Sequence, residues 1–153
     1  MSIVLRGVFE ANERGFGFLR PDDDTDDIFI PPMSINGAFD GDKVEVRVTS
    51  SGNGNRGPEG VVTKILERNN KIIVGKFEKS KNFGFVVPEN KKIGQDIFIP
   101  KANFNGAKNG DIVCVKIEKW PDRRRSAEGK IVDILGKSGK PGVDILSIMY
   151  EYD

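Results

Sequence analysis

Six phenylalanines stand in two sets with matching neighbours: Phe16-Gly17-Phe18 with Phe29, and Phe83-Gly84-Phe85 with Phe98. A phenyl ring supplies no acid, base or nucleophile. It does supply a flat π-face, and an unstacked nucleobase is a partner that any such face can cover, whatever the base. Arg14 and Arg20 flank the first set, and Lys79 and Lys81 precede the second, so cations able to meet phosphates accompany the rings. Trp120 followed by Arg123, Arg124 and Arg125 adds an aromatic and a basic run in one short stretch.

Other chemistry is thinly provided. The sequence has no histidine, which removes the usual general base, the Ser-His and Cys-His couples and most zinc sites. Its single cysteine, Cys114, permits neither an intramolecular disulfide nor a Cys-x-x-Cys knuckle, and the neighbours Ile112, Val113 and Val115 predict a buried structural thiol. Asp22, Asp23, Asp24, Asp26 and Asp27 form an acidic cluster that resembles a divalent-metal loop. The second set has Glu89-Asn90-Lys91-Lys92 in the same place, so a solvated turn is expected, with no metal and no cofactor in this chain.

The elements that must position these residues follow from an internal repeat. Gly7 and Phe9 recur as Gly75 and Phe77, Asp27-Ile28-Phe29-Ile30-Pro31 as Asp96-Ile97-Phe98-Ile99-Pro100, Gly41-Asp42 as Gly110-Asp111, and Glu59-Gly60 as Glu128-Gly129. The offset is too long for a solenoid repeat and suits a small domain that closes its own core. Each copy carries five short apolar or alternating runs: Ile3–Glu10, Phe16–Arg20, Asp27–Ile30, Lys43–Thr49 and Gly60–Leu66 in the first. The second has Ile72–Glu78, Phe83–Val87, Asp96–Ile99, Asp111–Glu118 and Gly129–Leu135. Five strands per copy predict an all-β chain of two tandem five-stranded OB-fold barrels. The expected division is 1–68, 69–136 and a tail, 137–153.

Side-chain alternation along a strand then separates core from surface. Phe16 and Phe18 share parity with Arg14 and Arg20, whose charges a small core cannot hold unpaired, while Gly15, Gly17 and Leu19 share the other. In the next run the aliphatic Ile28 and Ile30 point inward, which turns Phe29 out beside Phe16 and Phe18. The same parity applies to Phe83, Phe85 and Phe98, although Val87 stands where the first copy has Arg20.

Arg14-Gly15-Phe16-Gly17-Phe18 and Asp27-Ile28-Phe29-Ile30 resemble the two ribonucleoprotein motifs of cold-shock domains, and both copies carry them. The chain departs from free-standing cold-shock proteins in lacking a tryptophan in the first strand and in having Pro31 or Pro100 where those continue with histidine. Two such domains in series, each with Asp-Ile-Phe-Ile-Pro, are similar to the N-terminal half of the ribonuclease R and ribonuclease II family. The tail from Leu135-Gly136 to Ile148 resembles the segment that leads into that family's catalytic domain, a domain expected to be absent from this chain. The resemblance implies a magnesium-dependent 3′→5′ exoribonuclease whose cold-shock domains grip RNA. Its aspartate cluster would lie in the missing domain, so no catalytic residue carries over, and Phe16, Phe18, Phe29, Phe83, Phe85 and Phe98 are the positions that match the family's RNA contacts.

Net charge sharpens the expected partner. Residues 1–70 hold 8 Lys+Arg against 12 Asp+Glu, a balance of −4, whereas residues 71–135 hold 14 against 8, a balance of +6. A polyanion feels mainly the second half at long range. The expected partner is single-stranded RNA, with single-stranded DNA left open, and the expected state is a cytoplasmic monomer without membrane contact. Three further readings stay open on the residues alone: a stand-alone cold-shock RNA chaperone, a protein-docking module, and an enzyme built on the acidic loop.

Overall fold

The computed structural model describes residues 3–52, 57–69, 72–121 and 125–137. Ten strands account for most of them: β1 (Val4–Ala11), β2 (Gly17–Pro21), β3 (Ile28–Ile30), β4 (Lys43–Ser50), β5 (Glu59–Glu67), β6 (Ile72–Lys79), β7 (Phe83–Pro88), β8 (Ile97–Pro100), β9 (Asp111–Lys119) and β10 (Glu128–Lys137). β1 to β5 close a barrel in the order β1-β2-β3-β5-β4, and β6 to β10 close a second in the equivalent order. The all-β pair of five-stranded barrels expected from the sequence is the observed architecture. Each expected run overlaps one strand, with ends displaced by a residue or two where ladder bonds continue past the apolar pattern.

Alternation decides what each strand buries. In the first barrel Phe9, Leu19, Ile28, Ile30, Val44, Val46 and Val62 are buried at inward positions. The short strand β3 has its two isoleucines inside and Phe29 half out. Phe77, Val86, Ile97, Ile99, Val113, Val115 and Ile131 fill the second barrel in the same manner. The glycine between the paired phenylalanines has a specific steric role: a Cβ on Gly17 would collide with the Phe9 ring, and one on Gly84 with the Phe77 ring. An inward side chain there would displace the largest core residue of each barrel.

Both barrels close through a single parallel bridge at the third phenylalanine. Phe29 pairs with Glu59 and its N–H donates to the Pro58 carbonyl at 2.9 Å; Phe98 pairs with Glu128 and its N–H donates to the Ala127 carbonyl at 2.9 Å. The loop between the fourth and fifth strands therefore ends beside an outward ring in each barrel.

The repeated Gly-Asp is a buried clasp. Asp42 has no solvent exposure and accepts hydrogen bonds from the Phe39 N–H at 2.8 Å, the Asn69 N–H at 2.9 Å and Arg68 Nη1 at 2.9 Å. It ties the start of β4 to the chain leaving β5. Burial lowers the Arg68 pKa while the Asp42 carboxylate acts against that shift. In the second barrel Asp111 accepts from the Lys108 N–H at 2.8 Å and from Lys137 Nζ at 3.0 Å. Burial works against its charge, but the Lys108 N–H and the Lys137 ammonium outweigh it and hold the carboxyl below its ordinary range.

Cys114 is buried, packed with Val74 and Ile112, and burial with the nearby Asp133 pushes its thiol up to about 11. Among the described residues no helix is long and apolar enough to cross a membrane.

A candidate nucleic-acid interface

The structure gathers Phe16, Phe18 and Phe29 into one triad. β2 and β3 pair antiparallel with Phe18 directly across from Phe29, and ring centroids lie 5.8 Å apart for Phe16 and Phe18, 5.5 Å for Phe16 and Phe29, and 5.7 Å for Phe18 and Phe29. Phe83, Phe85 and Phe98 form the matching triad on β7 and β8, with centroids 5.6, 6.0 and 5.8 Å apart. These separations are those of favourable edge-to-face and offset pairs, so each ring shields its neighbours' edges. That packing limits exposure: Phe18 is 37% and Phe83 39% exposed, while the other four rings are half-buried. The rings face outward as their parity predicts, but as a clustered surface rather than six free faces. The more open ring is the second of its pair in the first barrel and the first of its pair in the second.

The flanking cations are placed less uniformly. Arg20 is exposed on the triad face, and its Nη2 lies 3.0 Å from the Glu10 carboxylate. Arg14 is exposed but lies outside β2, in the turn after β1, where its N–H donates to Asn12 Oδ1 at 2.9 Å. Gly15 at φ +98° breaks the extended chain there, so strand alternation does not reach Arg14 and the parity argument does not place it. Lys79 ends β6 with its N–H on Asn109 Oδ1 at 2.9 Å and its ammonium 5.8 Å from the Phe104 ring centre. Phe104 in turn packs on the core ring Phe77, at 4.9 Å. Lys79 thus shares the parity of Phe77 rather than that of the triad. Lys81 is exposed in the turn that leads into Phe83.

Trp120 is half-buried just past β9, and Arg125 is exposed in the same loop; both take part in further contacts. Arg123 and Arg124 lie outside the described residues, as does all of 138–153. Two residues after Arg125, the Ala127 N–H donates to Gln95 Oε1 at 3.0 Å and its carbonyl receives the Phe98 N–H. Ala127, where the described chain enters β10, is therefore fixed at the edge of the second triad.

The acidic turn is exposed throughout. Asp23 is held below its ordinary range by the Thr25 hydroxyl and then the Thr25 N–H. Among the described residues no three Asp, Glu, Cys or His side chains converge in one cluster.

Sequence reasoning overlooked Glu10 and Glu78. Strand pairing sets Glu10 across from Phe18 and Glu78 across from Phe85, so one carboxylate stands on each triad face. The signal was available, because Phe9 and Phe77 are buried and alternation turns the next residue out.

The "Ribonuclease B OB domain" family matches residues 7–65, and the "Cold shock domain" family matches residues 85–153. Ribonuclease R 2 of Lactococcus lactis subsp. lactis (strain IL1403) is 36% identical over 155 residues, covering 94% of this chain and 23% of the relative. The chain is similar to ribonuclease R, through an OB-domain match in its first half and a cold-shock match in its second. Ribonuclease R of Thermotoga maritima (strain ATCC 43589 / DSM 3109 / JCM 10099 / NBRC 100826 / MSB8) is 33% identical over 147 residues, covering 96% of this chain and 20% of the relative. Among solved structures, Mycoplasma genitalium RNase R in complex with ribose methylated single-stranded RNA superposes with a TM-score of 0.86 at 21% identity. That match covers 96% of this chain and 24% of the other. The chain thus spans about a quarter or less of the length of each of these three relatives.

Proposed function

We propose that the chain binds single-stranded RNA by stacking bases on its two phenylalanine triads, and that it forms the RNA-gripping part of a cytoplasmic 3′→5′ exoribonuclease whose magnesium-dependent catalytic residues lie in another domain. The observation that carries this reading is the duplication of one geometry. Three rings, two from a Phe-Gly-Phe segment and one from the next strand, recur on the outer face of each barrel with centroid separations between 5.5 and 6.0 Å. A core needs no such outward cluster, and rings left in water gain when a base covers them.

The cations divide the work. Arg20 is engaged by Glu10 beside the first triad, whereas Lys81 and the loop bearing Arg125 flank the second. Phosphate attraction accordingly resides mainly in the second barrel, with stacking in both. Similarity to relatives named ribonuclease R supports the parent activity.

Fluorescence anisotropy with a labelled oligoribonucleotide tests the reading. Replacing Phe83, Phe85 and Phe98 together by alanine is expected to weaken binding by about ten-fold or more, since stacking contributes roughly 1–3 kcal/mol per base. A folded triple variant with unaltered affinity would overturn it. Equal competition by a deoxyribonucleotide of the same sequence would show that 2′-hydroxyl groups are not read.

A further inference from the structure

The two triad faces differ at one pair of positions, and the difference changes the state of a carboxylate. On the first barrel the outward neighbours on β1 and β2 are Val8 across from Arg20 and Glu10 across from Phe18. Arg20 reaches diagonally to Glu10, 3.0 Å away, and neutralises it. On the second barrel the matching pairs are Lys76 across from Val87 and Glu78 across from Phe85. Val87 offers no charge. Lys76 lies two residues from Glu78 along the same strand, yet no ion pair joins them, and among the described residues no side-chain hydrogen bond or ion pair engages Glu78.

An exposed, uncompensated carboxylate beside a stacking surface is unfavourable for binding a polyanion unless it contacts something that donates. A base lying on Phe83, Phe85 and Phe98 projects its hydrogen-bonding edge in the plane of the ring, toward the neighbouring strand, where Glu78 is one cross-strand pair away from Phe85. A carboxylate only accepts, and its two oxygens suit two adjacent donors. Of the four bases, guanine alone presents two adjacent donors on its Watson–Crick edge, the N1–H and the N2 amino group. Uracil's single N3–H is flanked by two carbonyls that repel the carboxylate. Cytosine and adenine each place an acceptor next to their amino group.

We infer that Glu78 gives the second barrel a preference for guanine, while the Glu10–Arg20 pair, which offers both acceptor and donors, leaves the first barrel indifferent to base identity. The inference rests on the stacking function proposed above and adds a specificity-determining residue to it.

Anisotropy titration of the full chain with three oligoribonucleotides tests it: an oligouridylate, the same strand with one central guanosine, and the same strand with inosine there. The guanosine strand should bind on the order of ten-fold more tightly than oligouridylate, the range of one bidentate base contact, with inosine between them for want of the N2 donors. Glu78→Gln should remove most of that ratio while binding oligouridylate at least as well, because a repulsive charge has gone. Val87→Arg, which rebuilds the first barrel's ion pair around an intact Glu78, should also shrink the ratio. Glu10→Gln should leave it unchanged. Wild-type protein with equal affinity for all three strands, or Glu78→Gln with an undiminished ratio, would overturn the inference while leaving the stacking function standing. Failure to bind any of the strands would instead remove the function on which it depends.

Discussion

Replacing Asp42 by alanine exposes how the first barrel is held shut. The carboxylate is fully buried and accepts from two backbone N–H groups and from Arg68, whose side chain is 17% exposed. Removing it leaves those three donors without their acceptor. Breaking a buried ion pair by deleting one partner costs about 3–5 kcal/mol. Arg68 keeps its bond to the Gly37 carbonyl at 2.7 Å and its place 5.8 Å over the Phe39 ring, and it retains some access to water. The low end of that range, about 3 kcal/mol, is therefore expected. Asp42→Asn keeps one acceptor and should cost less, about 1–2 kcal/mol. Urea unfolding followed by far-UV circular dichroism measures both, and adding Arg68→Ala to Asp42→Ala should cost much less than the two changes summed. A loss below about 1 kcal/mol for Asp42→Ala, the net worth of one ordinary hydrogen bond, would refute the clasp.

Three other perturbations have defined outcomes. Asp111 has its folded pKa lowered, so its contribution to stability is fully present above the unfolded carboxyl value and is lost as pH falls through the folded one. The stability gap between wild type and Asp111→Asn, measured by denaturant melts, should accordingly be wide at neutral pH and narrow below about pH 4. Cys114, buried and with its thiol pushed up to about 11, should resist iodoacetamide at pH 8 in folded protein and react once urea is added; prompt labelling of the native chain would contradict its packing. Substituting Arg123, Arg124 and Arg125 by alanine should flatten the dependence of log affinity on log salt by about 2 units, as three lost phosphate contacts on a single strand imply. An unchanged slope would remove that loop from the RNA footprint.

The barrels and their triads were legible in the sequence because both depend on strand alternation, a local rule, and because the repeat supplied the same reading twice. Ile28 and Ile30 inward with Phe29 outward needed nothing beyond residue parity. Arg14 escaped the rule, since one glycine with positive φ ends the strand before it. Lys79 escaped for a different reason: the ring that draws its ammonium, Phe104, comes from a turn 25 residues away in the chain, and no local pattern records that meeting. The Glu10–Arg20 pair is diagonal across two strands, so finding it requires the register as well as the parity. The Gly-Asp repeat was visible as a repeat, but its role as a buried clasp depends on Arg68 and Lys137 returning at the far end of the fifth strand.

Ring-proton chemical shifts test the stacking surface most directly. Titration of the labelled protein with a short oligoribonucleotide should move the aromatic resonances of Phe18 and Phe83, the more exposed ring of each triad, together with those of Phe29 and Phe98. The methyl groups of Leu19 and Ile28, which face the core one residue away, should stay nearly still. Shifts confined to surface lysines and arginines, with every triad ring unmoved at saturating RNA, would mean that the bases do not lie on the phenylalanines.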